Sequence, residues 1–171
     1  MELVAGRTFN DMANLSDQMV NDMRFILAQS IADGIGGRDV AKRIQKKLWP
    51  EKGGYRYRAE RIARTEINAA YAQSYLEVNE DLNENVYDKG GFEAKIMHIS
   101  ALSATTRKTH AARHGQIFTS DEQAIWWTED GNRINCLCSV TTVLVDKETG
   151  KPLQSRLVKK AIEQGEKWFG R

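Results

Sequence analysis

The chain carries three histidines and two cysteines in 171 residues, and all five fall between His98 and Cys138. His110 and His114 are four apart, a spacing that stacks both imidazoles on one face of a helix. Cys136 and Cys138 are two apart, which puts both thiols on one face of a strand. Two imidazoles and two thiolates satisfy tetrahedral zinc. His110, His114, Cys136 and Cys138 therefore form a candidate Cys2His2 site tying a helix to a strand, although C-x-C is a tighter bite than the usual C-x2-C. A metal-free reading fits the same residues: His110 bonds to backbone and the cysteines are buried as small apolar side chains. In either case the thiols are expected reduced. A disulfide across C-x-C closes a small strained ring, and free thiols suit a cytosolic birthplace.

Catalysis by these groups would be nucleic-acid cleavage, with His110 or His114 as general base and Arg107 clamping a phosphate. No carboxylate lies close in sequence to supply a magnesium site, and no Glu-x-Glu pair suggests ADP-ribosyl transfer. No residue is assigned a catalytic role. A binding protein is the expected class, and a metal-dependent nuclease or other nucleic-acid-processing enzyme is the alternative.

Charge marks a second candidate surface. The net charge is only +2, but ten Lys or Arg face three acids from Arg38 to Arg64, and seven acids face one Lys from Thr65 to Glu93. Lys42, Arg43, Lys46, Lys47, Arg56, Arg58, Arg61 and Arg64, interleaved with Tyr55 and Tyr57, form a candidate nucleic-acid or acidic-partner strip. The competing reading is a solvated helix face that pairs with the acidic segment. Trp126 and Trp127 are assigned to a partner interface.

The elements that must position these groups follow from apolar periodicity. Leu15, Met19, Met23, Ile26, Leu27 and Ile31 predict a helix from an Asn14 N-cap to Gly34. Further helices are predicted over 38–49 and 56–83. Beyond a structural boundary near 90 the pattern predicts a strand over 92–99, a helix over 103–113 and a short strand or turn over 116–118. A polar connection over 121–135, holding both tryptophans, precedes a β-branched strand over 137–146 and a basic amphipathic helix over 153–169. The fold class is α+β. A helical region, 1–90, precedes a small mixed module, 91–171, with a short sheet and a C-terminal helix.

In this order the pieces resemble the head-morphogenesis family typified by the F protein of phage Mu, the minor head proteins of tailed phages. Thr106, Arg107 and His110 match the family's Arg-Thr-Arg-like segment and its His. Gly115, Trp126 or Trp127, and Cys136 with Cys138 match its Gly, Trp-containing loop and Cys-Arg-Cys. R-I-A-R-T-E-I-N-A-A, Arg61 to Ala70, resembles the preceding helix. Ser103 stands where Asp is usual, Leu137 where the central Arg is usual, and the prolines usual before the cysteines are missing. The resemblance covers about 55–145 and supports His110 but not His114 as a site residue. It implies a minor head protein of the virion, assembled in the host bacterial cytoplasm. Portal or capsid proteins are the implied partners, with double-stranded genomic DNA a further candidate.

Composition sets outer bounds. At 41% apolar and 28% charged residues the chain can bury an ordinary core. With no run of 18 apolar residues and no charged-then-apolar leader, neither a membrane partner nor classical secretion is expected.

Overall fold

The computed structural model describes residues 15–51, 55–87 and 90–170, so the expected Asn14 cap lies outside the described residues. Ser16 caps the first helix, α1 (Asp17–Ala32), its Oγ accepting from the Met19 amide at 3.2 Å. Gly34, at φ +67°, follows the helix end. α2 (Gly37–Leu48) and α3 (Arg56–Leu82) occupy nearly the expected ranges. Met23 and Leu27 of α1, Val40 and Ile44 of α2, and Ile62 and Ala63 of α3 are fully buried and share one core. Trp49 stacks on Tyr55 at its edge, with ring centroids 5.1 Å apart.

The chain divides into two compact units within α3 rather than near residue 90: the helical unit runs up to Ala70 and takes in Arg133–Cys136, and the second unit holds Tyr71–Asn132 and the chain from Leu137. Side chains late in α3 account for the position of that division. Leu76 is buried with Ile96, Trp127 and Val140. Asn79 and Asn83 donate to the Ala94 carbonyl at 2.9 and 2.8 Å, and Asn83 Oδ1 accepts from the Ala94 amide. In the helical unit, residues 133–136 are stitched to α3 instead. Arg64 donates to Asn135 Oδ1 at 2.7 Å, the Asn135 amide donates to Thr65 Oγ1 at 2.9 Å, and Asn68 donates to the Cys136 carbonyl.

The second unit is built on β1 (Phe92–Ile99), paired antiparallel with β2 (Ile117–Phe118) on one side and β3 (Ser139–Asp146) on the other. Two corrections to the expected elements fall here. The helix expected over 103–113 is only Lys108–Ala112, α4. Ahead of it the Ser103 amide donates to Thr106 Oγ1, a side-chain bond that competes with helix. The polar connection expected over 121–135 instead contains a helix, α5 (Ser120–Thr128), opened by a capping box between Thr119 and Glu122. The C-terminal helix, α6 (Ser155–Phe169), buries Val158 and Ala161 with Met97 and Val143.

Gly115 lets α6 pack closely on the turn after α4. Its φ is +79°, and a Cβ there would lie 2.6 Å from the Ile162 amide nitrogen. Gly150 has a similar φ of +66° but open space around it. Gly150→Ala should cost about 1 kcal/mol of left-handed strain. Gly115→Ala should cost roughly 3 kcal/mol or more, because overpacking adds to that strain. Urea denaturation of the two variants checks this; equal losses would mean that α6 does not press on the turn.

Candidate functional site

The pleat of β1 sends Ile96 and His98 to the face that carries Trp127 and Val140. His98 lies opposite Val140 in the ladder, so Cys138, two residues earlier in the chain, falls just beyond the β3 terminus on the same side. α4 brings His110 to the same place. Arg107 holds the start of α4 by donating to the Gly131 and Asn132 carbonyls at 3.0 and 2.7 Å. His98, His110 and Cys138 are 0%, 2% and 8% exposed. Each offers one donor atom, and these atoms lie within 4.8 Å of one another. His110 Nδ1 is 3.3 Å from Cys138 Sγ. α5 supplies the wall: the Trp126 ring stands edge-on to both imidazoles, at 5.2 Å from His98 and 4.8 Å from His110.

Gln123 of α5 orients His98. Its Oε1 accepts from the Arg113 guanidinium at 3.3 Å and lies 3.2 Å from His98 Nδ1. Arginine is donor-only, so the amide oxygen faces inward and His98 Nδ1 carries the hydrogen. The His98 Nε2 lone pair then points elsewhere; that atom is buried and has no hydrogen-bond partner among the described residues. Burial pushes the His98 imidazole down to about 4, aided by the Arg113 charge and opposed by the Gln123 bond. Desolvation also lowers Arg113, whose guanidinium lies 4.4 Å from the Trp126 ring centroid. The cluster thus holds a neutral imidazole near neutral pH.

Of the four ligands expected from sequence, the structure brings His110 and Cys138 together and adds His98. His114 is elsewhere because α4 ends at Ala112, which removes the helical stacking; its Nδ1 accepts from the Ser100 amide at 2.9 Å. Cys136 belongs to the helical unit. The parity of His98 with Ile96 on a strand was the signal that would have found the third group. Trp127 is 4% exposed and is a core side chain, not a partner surface, because the capping box turns the supposed loop into α5. Trp126 is half-buried against the imidazoles. Arg107 is engaged with backbone carbonyls rather than poised as a phosphate clamp.

The basic strip is divided in use. Lys42, Arg43, Lys46, Lys47 and Arg56 are exposed. Lys42 pairs with Asp39 at 2.8 Å, Lys47 with Asp22 at 3.5 Å and Arg56 with Glu60 at 2.8 Å, all surface contacts worth little. Arg58, Arg61 and Arg64 are half-buried. Arg58 lies over Trp49 and Tyr55, Arg61 over Tyr57, and Arg64 on Asn135.

A family model described as "Phage Mu protein F like protein" matches residues 21–141. A curated relative, the Mu-like prophage FluMu F protein of Haemophilus influenzae, is 24% identical over 212 residues, covering 99% of this chain and 49% of the relative. The chain therefore spans about half the length of that relative. No solved structure matches. Among the described residues no helix is long and apolar enough to cross a membrane.

The buried imidazole has a pH consequence. A histidine in the unfolded chain titrates near 6.5, whereas folded His98 is held near 4. The unfolded state takes up this proton first, so the stability from keeping His98 neutral is complete above about pH 6.5 and is lost as pH falls toward 4. In chelator-treated protein, urea stability should decline across that window with a His98 share of up to about 1.4 kcal/mol per pH unit. His98→Asn should flatten the decline; an unchanged slope would assign it to other groups.

Proposed function

The chain belongs to the family of proteins like phage Mu protein F, and from that premise we propose that it is a minor head protein of a tailed phage or prophage, acting by binding. The observation that carries this reading is the reach of the family match. It runs from α1 into β3 and includes both the helical core and the His98–His110–Cys138 cluster. Portal or capsid subunits are the proposed partners, and the virion, assembled in the host bacterial cytoplasm, the proposed location.

The surface supports a protein contact. Tyr71, Tyr75 and Val78 of α3 are exposed and recur at i, i+4 and i+7, a solvent-facing stripe suited to packing on another subunit. Phe25 of α1 is 69% exposed. Double-stranded DNA is the second proposed partner, and the exposed Lys42, Arg43, Lys46, Lys47 and Arg56 are the side chains available to it. Arg58, Arg61 and Arg64 are partly committed to packing and to Asn135.

Two measurements test the partners. Tyr71→Ser with Tyr75→Ser should reduce co-purification with co-produced portal or capsid protein at least tenfold, with Tm unchanged; co-purification at the unaltered level would remove the stripe from the interface. For DNA, affinity should be sequence-blind and fall steeply with salt, and Arg43→Glu with Lys46→Glu should weaken it on every sequence alike. A folded protein that binds no DNA at low salt would drop that partner. Cleavage of nucleic acid that depends on His110 would replace the binding role with a nuclease.

A further inference from the structure

We propose that His98, His110 and Cys138 form a binding site for one borderline-soft divalent metal ion, zinc being the expected occupant, a ligand set different from the four residues that spacing alone suggests. The proposal is independent of the phage-head reading. It rests on the chemistry of the donors and on how they are held.

The donor types come first. A thiolate and two imidazoles select zinc among the common divalent ions, whereas magnesium and calcium prefer oxygen. Among the described residues this is the group of three or more His, Cys, Asp or Glu whose donor atoms converge, and all three are buried. Zinc bonds of about 2.05 Å to nitrogen and 2.3 Å to sulfur place N and S roughly 3.6 Å apart at a tetrahedral angle. His110 Nδ1 and Cys138 Sγ are 3.3 Å apart. The widest donor separation, at most 4.8 Å, has to close by at most roughly 1.5 Å to reach tetrahedral spacing.

The second observation is the His98 ring. Gln123 Oε1 takes its Nδ1–H, and Arg113 fixes the direction of that amide. A metal-bound histidine usually donates its second ring nitrogen in this way, which sets the tautomer and leaves the other lone pair for the ion. Here that other atom, Nε2, is buried on a fully buried residue with no hydrogen-bond partner among the described residues. An orphaned acceptor costs stability unless something satisfies it. A cation does so directly. Binding converts the Cys138 thiol to thiolate, forms the metal–sulfur bond and releases one proton to solvent. Three protein donors leave a fourth position for water or a small anion. The ion would link β1, α4 and the residue before β3.

Full-length protein stripped with chelator and titrated with Co2+ tests the site. The expected result is a thiolate-to-cobalt charge-transfer band in the near ultraviolet, with strong visible bands, saturating at one ion per chain and bleached by zinc. His98→Asn and Cys138→Ser should each weaken binding ~100-fold or more, whereas His114→Gln and Cys136→Ser should leave the spectrum unchanged. X-ray absorption on the zinc-loaded unaltered protein should count one sulfur, and it decides the ligand set even if a variant fails to fold. Absence of the band in protein shown folded by circular dichroism would overturn the proposal. So would two sulfurs on the zinc, or loss of the spectrum in Cys136→Ser.

Discussion

The pairing of β1 with β3 is the constraint on which the candidate site depends. The antiparallel register runs from Phe92 opposite Asp146 to Ile99 opposite Ser139. It puts His98 opposite Val140 and leaves Cys138 just beyond the last pair. A slip of one residue would send His98 to the α6 face, among Met97 and Val143, and break the cluster. The register is held by apolar pattern: Ile96 and Val140 belong to one face, Met97 and Val143 to the other, and both faces are covered. β2 pairs with Ile96 and Met97 on the outer edge of β1, and the Gly115–Gln116 backbone just before it bonds to both backbone groups of His98. Asn83 satisfies both backbone groups of Ala94 on that strand, so a side chain performs there the work of a strand neighbour.

Asparagine recurs in this role in both units. Asn68 and Asn135 join α3 to the segment before Cys136, and Asn132 donates to the Trp126 carbonyl at 3.0 Å. Asn135 adopts a φ of +52°, which asparagine tolerates better than most residues. Three polar residues of the motif segment Arg61 to Ala70 take part in this stitching: Arg64, Thr65 and Asn68 bond to residues 135–136. Read as sequence, Arg64 belongs to the basic strip; in the fold it also bonds to Asn135.

Much of the fold was legible because burial is periodic. The strand at 92–99 and the helices at 38–49 and 56–83 show their faces in the spacing of apolar residues, and the α+β class followed. α5 was not legible in that way: S-D-E-Q-A-I-W-W-T has no clean apolar stripe, since Ser120 and Gln123 are among its buried residues. Only Thr119 followed by Glu122 signals its start. The four-residue ligand set expected from spacing shares only His110 and Cys138 with the converging donors, for a related reason. It assumed that a four-residue spacing implies a helix, whereas hydroxyl side chains at Ser103 and Thr106 delay α4 and the chain leaves it before His114. His98 was within sight but on a different element, and only long-range strand pairing puts it beside Cys138.

The buried cluster and the exposed helix faces carry different kinds of side chain. The imidazoles and the thiol that could act on a substrate are almost fully buried, walled by Trp126 and held by Gln123 and Arg107. Trp127 of α5 is itself buried with Ile96 and Val140, so displacing α5 would cost those contacts. The exposed side chains include lysines and arginines on α2 and the start of α3, tyrosines further along α3, and Phe25. The sheet beside these donors has one very short strand, and the apolar core around it is divided into small clusters. Residues conspicuous in the sequence, His110 and Cys138 above all, are therefore interior side chains of the second unit, and the exposed side chains are of other types.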